Sequence, residues 1–279
     1  MFKCDLHTHS ISSDGRFSPK EIIEMAKKKN LNYIALTDHD TMTGISEAME
    51  TANKLNVNFI PGIELSTEHN GESIHVLGFF HKNNSNNPKL NKILNEFKEN
   101  RISRAYKIVE NLKRLHNIEL DIDKVLSNGK DTIARPHIAK AIIDAGYPYD
   151  NEYIFNNFIG NNCPAYVPST KLSTIDGLKL LKEFNALVFL AHPILIKKTP
   201  IEELLNLGFD GLEAIYYRNS EADTINLLNL AKEKNLYISC GSDCHGIPSD
   251  SSHGDVGDVL IPQENETLKM LEWLKKLQD

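Results

Sequence analysis

The chain has little of what marks several protein classes. No apolar run approaches the roughly 20 residues needed to span a bilayer. The amino terminus, MFKCDLHTHS, places polar and charged residues where a secretory signal needs an uninterrupted apolar stretch, so a cytoplasmic location with no membrane contact is expected. Only four cysteines occur in 279 residues, none in a C-x-x-C pair, which excludes a disulfide framework. Cys4 and Cys240 fall in apolar strand-like runs and read as core thiols. Cys244 lies between Asp243 and His245, where a strand's period turns it away from both. There is no surplus of positive charge: 31 Lys and Arg against 38 Asp and Glu leave a net charge of -7, without the electrostatic footprint of a protein that grips long nucleic acid. Internal repeats, low-complexity tracts and a Gly-rich phosphate loop of the dinucleotide-binding type are also missing.

What is present is an ordinary globular composition, 41% hydrophobic and 25% charged, in a chain long enough for a barrel with an insertion. A strand-like run ends at Asp5 to His9. The turn SSDG follows, and Ser18-Pro19 with Glu21 forms a capping-box helix start with Pro at the first helical position. NYIALTD then reads as a strand, ISEAMETANKL as a helix, VNFIPGIEL and GESIHVLGFF as strands. From residue 85 to 166 the rhythm breaks into helix and loop, entered through the asparagine-rich KNNSNNPKL and including ARPHIAKAIIDAG, with Gly146 as a helix stop. Alternation resumes with the strands ALVFLAH, FDGLEAIY and LYISCGSD, each preceded by a helical segment such as TIDGLKLLKEF or SEADTINLLNLAKEK. About seven strands with helical crossovers favour a barrel over an open doubly wound sheet. The expected fold is therefore α/β, a barrel spanning residues 1–84 and 167–279 with a helical cap, residues 85–166, inserted as a substrate domain.

The polar residues gather at the carboxyl ends of those strands. His7 and His9 are two apart, so a strand's period points them the same way, as a pair of metal ligands requires. Asp14 follows on the next turn, Asp38-His39-Asp40 ends the second strand and Glu64 the third. His75 lies on the fourth, His192 ends ALVFLAH, and Asp243 with His245 ends LYISCGSD. In a barrel these ends converge on the face where active sites are built. His7, His9, Asp14, His39, Glu64, His75, His192, Asp243 and His245 are too many ligands for one zinc site. Imidazole and carboxylate without thiolate suit manganese, iron or zinc, with magnesium a further candidate, and two or three divalent ions are expected.

The motifs DLHTHSISSDG, ALTDHDT, PGIE, IHVLG, AHP and GSDCHG together resemble those of the polymerase and histidinol phosphatase (PHP) superfamily over residues 5–246. The resemblance implies a distorted (β/α)7 TIM-like barrel with a trinuclear centre. It assigns His7, His9, Glu64 and Asp243 to one ion, Glu64, His75 and His192 to a second, and Asp14, His39 and His245 to a third, with Glu64 as bridge. Asp38 matches a position that orients ligands, and Asp5 reads either as structural or as a support behind the ligands.

The cap adds a narrower resemblance. ARPHIAKAIIDAG followed by FNNFIGNNCPAYVP is similar to the branch that hydrolyses nucleoside monophosphates and 3',5'-bisphosphates. Arg135 and His137 match its RPH element and become candidates for phosphate contact, with His137 also a candidate proton donor to the leaving oxygen. Arg16 departs from the family, which usually carries a small or uncharged residue there, and is a third candidate phosphate contact. The implied reaction is hydrolysis of a nucleotide phosphomonoester by metal-activated hydroxide. Histidinol phosphate and short oligonucleotides are rival substrates, a non-catalytic metal-binding scaffold and an amidohydrolase are rival classes, and no protein partner is indicated. His69, His81, His116 and His253 fall outside the motifs and read as surface or loop residues.

Overall fold

The protein is described by a computed structural model that covers residues 2–84, 87–129, 133, 135–168, 172–248, 252–261 and 264–278. The chain forms two compact units, Met1–Asn91 with Lys171–Asp279, and Lys92–Thr170.

The first unit is a barrel. Its strands are β1 (Cys4–Asp5), β2 (Tyr33–Leu36), β3 (Phe59–His69), β4 (Glu72–Phe79), β6 (Leu187–Leu190), β7 (Gly211–Tyr216) and β8 (Tyr237–Gly241), neighbours in that order. A short β5 (Leu172–Ser173) pairs with the end of β3. The ring closes where Leu6 N donates to Cys240 O at 2.9 Å and Asp243 N to His7 O at 2.9 Å. Helices α1 (Pro19–Lys28), α2 (Ile45–Leu55), α7 (Thr174–Glu183), α8 (Ile201–Leu205), α9 (Glu221–Glu233) and α10 (Glu264–Gln278) belong to the same unit. The capping box at Ser18 is formed in both directions, and Ser220 with Asp223 repeats it on α9.

The barrel is distorted at β4, which runs antiparallel to both β3 and β6. Only Asn70 and Gly71 separate β3 from β4, both at positive φ (50° and 78°), and such a two-residue turn makes a hairpin and leaves no chain for a crossover helix. Phe79 of β4 and Phe189 of β6 pack with Trp273 of α10, edge to face and tilted, with ring centroids 4.8 to 5.2 Å apart, and Trp273 Nε1 donates to Ile238 O at 3.0 Å. Cys4, Cys240 and Cys244 are buried, with the Cys4 and Cys240 sulfurs 3.1 Å apart across the closing seam.

The second unit contains most of α3 (Pro88–His116), then α4 (Ile122–Gly129), α5 (Arg135–Asp144), α6 (Asn151–Ile154) and a π-helical turn at Phe155–Ile159. It has a core of its own around Ile108, Leu112, Ile138, Ile142 and Phe158. Gly146 ends α5 at φ 85°, the left-handed geometry that favours glycine at a helix stop.

Candidate metal centre

Most candidate ligands of the barrel arrive on the loop after a strand, but Glu64 does not end the third strand as expected: β3 runs on to His69 as one arm of the hairpin with β4, so Glu64 and His75 sit in mid-strand. His7 and His9 follow β1, His39 follows β2, Glu64 and His75 lie on β3 and β4, His192 follows β6, and Asp243 and His245 follow β8. Asp14 is carried by the loop before α1, which Gly15 lets close: a Cβ on Gly15 would sit 2.2 Å from the His9 carbonyl oxygen. His192 and Asp243 have positive φ (27° and 56°), a conformation side chains other than glycine rarely adopt and one that gathers at functional sites.

Glu64, fully buried, is the hub. Its Oε1 is 2.7 Å from His75 Nδ1 and 2.9 Å from His192 Nε2. Its Oε2 is 2.9 Å from His39 Nδ1, 3.2 Å from His9 Nε2 and 3.3 Å from His7 Nε2. Asp243 Oδ1 lies 3.1 Å from His9 Nε2 and 3.3 Å from His7 Nε2, and Asp14 Oδ1 lies 3.3 Å from His245 Nε2. Among the described residues, four sets place their candidate ligand atoms within 4.8 Å of one another: His7, His9, Glu64 and Asp243; His9, Asp14, His39 and His245; His39, Glu64 and His75; Asp243, His245 and His253.

His75 Nδ1 and His192 Nε2 make hydrogen bonds to Glu64 Oε1, but the atoms around Glu64 Oε2 are close without being aligned as hydrogen bonds. His7 Nε2, both ring nitrogens of His9, His39 Nδ1 and Glu64 Oε2 are buried and have no hydrogen-bond partner. Buried polar atoms left unpaired are costly and rare. Lone pairs that converge on shared points rather than on donors suit cations, so the donor set fits divalent ions.

The electrostatics agree. Burial opposes protonation of His9, but Asp243 and Glu64 outweigh it and push its pKa up to about 10. Burial likewise opposes a charged His7, while Glu213, Asp243 and Glu64 hold its pKa well above the usual imidazole value. Burial disfavours a charged Glu64, yet His39, His75 and His7 keep it well below the carboxylate range. The same contest, with His39 and His245 as partners, leaves Asp14 depressed. The pocket thus holds carboxylates charged and draws positive charge toward them.

Behind the candidate ligand atoms stands a layer that orients them. The buried Glu213 on β7 accepts from His7 Nδ1 at 3.1 Å and from the His192 main-chain N–H at 2.8 Å. Fixing Nδ1 in this way leaves Nε2 to face the centre. His245 Nδ1 donates to the Asp243 carbonyl at 2.7 Å, and Tyr216 Oη to Asp243 Oδ2 at 3.2 Å. Asp5 accepts from Ser242 Oγ at 2.6 Å and Gly257 N at 2.7 Å, tying β1 to the loops after β8. Asp38 accepts from Ser10 N and Ser10 Oγ, each at 2.7 Å, and from Ser13 Oγ at 2.5 Å. Its oxygens therefore hold the loop that carries Asp14.

The sequence motifs do not mark Glu213 or Tyr216. The signal for Glu213 was a carboxylate inside GLEAIY, every residue of which is buried. His253 reads as a loop residue, yet its ring lies 4.2 Å from that of His245 and its Nε2 3.8 Å from Asp243 Oδ2. His69 pairs with Glu203 at 3.0 Å, His81 accepts from Asn83 N, and His116 packs at a tilt against Phe158.

Arg16 is exposed, and its main-chain N–H donates to His245 O at 2.9 Å. Within the second unit Arg135 Nη1 donates to Asn161 Oδ1 at 2.9 Å and to Ile159 O at 3.2 Å, and the guanidinium lies 5.4 Å from the Tyr166 ring centre. His137 is half-buried two residues further along α5.

Comparisons with known proteins agree with this arrangement. The family model of the PHP domain matches residues 5–149. A 5'-3' exoribonuclease of Haemophilus influenzae is 30% identical, the match covering 93% of this chain and 97% of that one. A 3',5'-nucleoside bisphosphate phosphatase of Chromobacterium violaceum is 29% identical over 88% of each. A structure from Bifidobacterium adolescentis, assigned as a metal-dependent phosphoesterase, superposes with a TM-score of 0.74 at 27% identity, covering 97% of this chain and 96% of that one. The barrel, the histidine and carboxylate cluster at its mouth and these matches together establish that the chain belongs to the PHP domain family.

Proposed function

We propose that the chain is a metal-dependent phosphoesterase that hydrolyses phosphomonoesters of nucleotides, either AMP-like monophosphates or 3',5'-nucleoside bisphosphates. The observation that carries this is Glu64, whose two buried oxygens gather histidines from β1, β2, β4 and β6 at 2.7 to 3.3 Å. Divalent ions held there by His7, His9, Asp14, His39, Glu64, His75, His192, Asp243 and His245 would neutralise the phosphate and lower the pKa of water toward neutrality. Glu213 and Asp243 O fix the histidine tautomers, and Asp38 positions the loop that presents Asp14. Residues 85–166 serve as the substrate domain, in which Arg135 and His137 contact phosphate and His137 passes a proton to the leaving oxygen. Arg16 adds a cation beside the centre. The nucleotide as substrate class is supported by the RPH element and by the two relatives named above.

The match to an exoribonuclease over 97% of its length favours a second reading, in which short oligonucleotides are trimmed by the same chemistry. Metal-reconstituted protein assayed against AMP, a 3',5'-bisphosphate, histidinol phosphate and a 5'-phosphorylated trinucleotide separates the readings. Turnover of the mononucleotides well above that of histidinol phosphate is expected. Exclusive turnover of the trinucleotide, or of histidinol phosphate, overturns the main reading.

Arg135→Ala tests the second unit. A charge-assisted contact is worth about 1.5 to 3 kcal/mol, so its loss should lower kcat/KM about 10- to 150-fold while metal content stays the same. A larger loss on 3',5'-bisphosphates than on an aryl phosphate would place Arg135 at a second phosphate. No loss on either substrate would reduce Arg135 to its bonds with Asn161 and Ile159.

A further inference from the structure

Beside the ligand cluster the barrel mouth has a cavity of about 390 Å³, within the range of small-molecule sites, that the reaction described so far does not use. His253 is its link to the centre, since it lines the cavity and its ring lies 4.2 Å from that of His245. Two aromatic rings bound it, and each rests on a glycine. A Cβ on Gly246 would fall 2.4 Å from the Phe17 ring, and one on Gly254 would fall 2.7 Å from the ring of Tyr217. The loops behind the cavity are fixed as well: Arg16 N donates to His245 O at 2.9 Å and Gly254 N to Ser242 O at 2.9 Å.

Large apolar side chains stand exposed around a lining that is otherwise polar. Tyr217 and Ile247 are each 40% exposed, and Ile11, whose N–H donates to Phe17 O, is 50% exposed. Such a cluster next to a catalytic centre marks contact with an organic group. The polar lining includes two carboxylates, Asp255 and Asp258, of which Asp258 pairs with Lys29 at 3.2 Å. Carboxylates there repel a second phosphate and accept hydrogen bonds from N–H groups.

We infer that this cavity is the subsite for the heterocyclic base of the substrate, with Phe17 and Tyr217 as its aromatic walls and Asp255 as acceptor for an amino group on the ring. The inference rests on the nucleotide reading above and names the part of the molecule that receives the base. Planar bases stack on aromatic side chains whatever their sequence, and the carboxylates favour bases that carry an amino group.

The test pairs a binding measurement without phosphate with a kinetic ratio. In saturation-transfer NMR with adenosine, which carries no phosphate, the base protons should receive more saturation than the ribose protons. Tyr217→Leu and, independently, Phe17→Leu should remove that difference, and Tyr217→Phe should keep it. In parallel, the preference for AMP over ribose 5-phosphate in kcat/KM should fall about 5- to 100-fold in either leucine variant. Base saturation unchanged in both variants, or equal loss on AMP and ribose 5-phosphate, overturns the subsite. Because adenosine binding needs neither metal nor turnover, a protein that hydrolyses no nucleotide would defeat the functional reading while the NMR result still decides this one.

Discussion

At the scale of single residues, Glu64 is the atom-sharing centre of the site. Glu64→Gln keeps its volume but removes the charge that faces His7, His9, His39, His75 and His192. Bound metal and kcat should both fall at least about 10- to 100-fold. Elemental analysis of the purified variant decides this, and full metal content with near-normal turnover would rule out Glu64 as the bridge. The histidines give a pH prediction with a definite sign. His9 in the metal-free protein is raised from 6.5 to about 10, so its protonated form contributes stability that is complete below about 6.5 and lost as pH rises toward 10. The metal-free protein should therefore lose thermal stability across that window. Ion binding must expel the same proton, so affinity should rise with pH and calorimetric titrations in two buffers should reveal proton release. Titrations that release no proton near neutral pH would contradict the assignment of His9 as a ligand.

At the scale of elements, the seam between β1 and β8 sets the position of the first histidine. Gly241 ends β8 at a point where a Cβ would lie 2.2 Å from His7 Cβ and 2.3 Å from Glu213 Oε1. Gly241→Ala should therefore cost about 1 to 3 kcal/mol of overpacking and lower metal content through His7, read by thermal denaturation and elemental analysis. Glu72, at the start of β4, anchors the segment after β6. Burial would raise its pKa, but the main-chain N–H groups of Lys197, Lys198 and Thr199, at 2.7 to 3.2 Å, bring it down to about 2. Its stabilisation is present above the unfolded value of 4.5 and lost as pH falls toward 2. The Tm difference between the protein and Glu72→Gln should accordingly be largest near neutrality and shrink below pH 4.5. Most elements were legible: ISEAMETANKL is α2 residue for residue. The antiparallel run of β4 was not, because its apolar pattern is that of any buried strand and only the Asn70-Gly71 turn betrays the hairpin.

At the scale of the whole molecule, the candidate centre joins residues more than two hundred positions apart, His7 and His9 to Asp243. Ions that bind only the folded barrel stabilise it by mass action, by about 2.7 kcal/mol at a hundredfold excess over Kd. Chelation should thus lower Tm by several degrees, and restoring a divalent ion should raise it in a concentration-dependent way. A Tm indifferent to chelator would mean that the cluster is held by its own hydrogen bonds. Among the described residues no helix is long and apolar enough to cross a membrane.

The sequence by itself determined the candidate ligand types and their order along the chain, because a strand's period of two and the carboxyl ends of barrel strands leave DLHTH and SDCH little freedom. It also determined the helix starts, whose capping chemistry is local. Only the tertiary structure decided which atoms meet. Glu213 accepts from His7 across 206 positions, His253 reaches back to Asp243, and Asp38 turns its oxygens to Ser10 and Ser13 rather than to the centre. Tertiary structure also seated Phe17 and Tyr217 on glycines distant in sequence. These are contacts between loops on different strands, and no local pattern encodes them, since their geometry is set by the closure of the barrel.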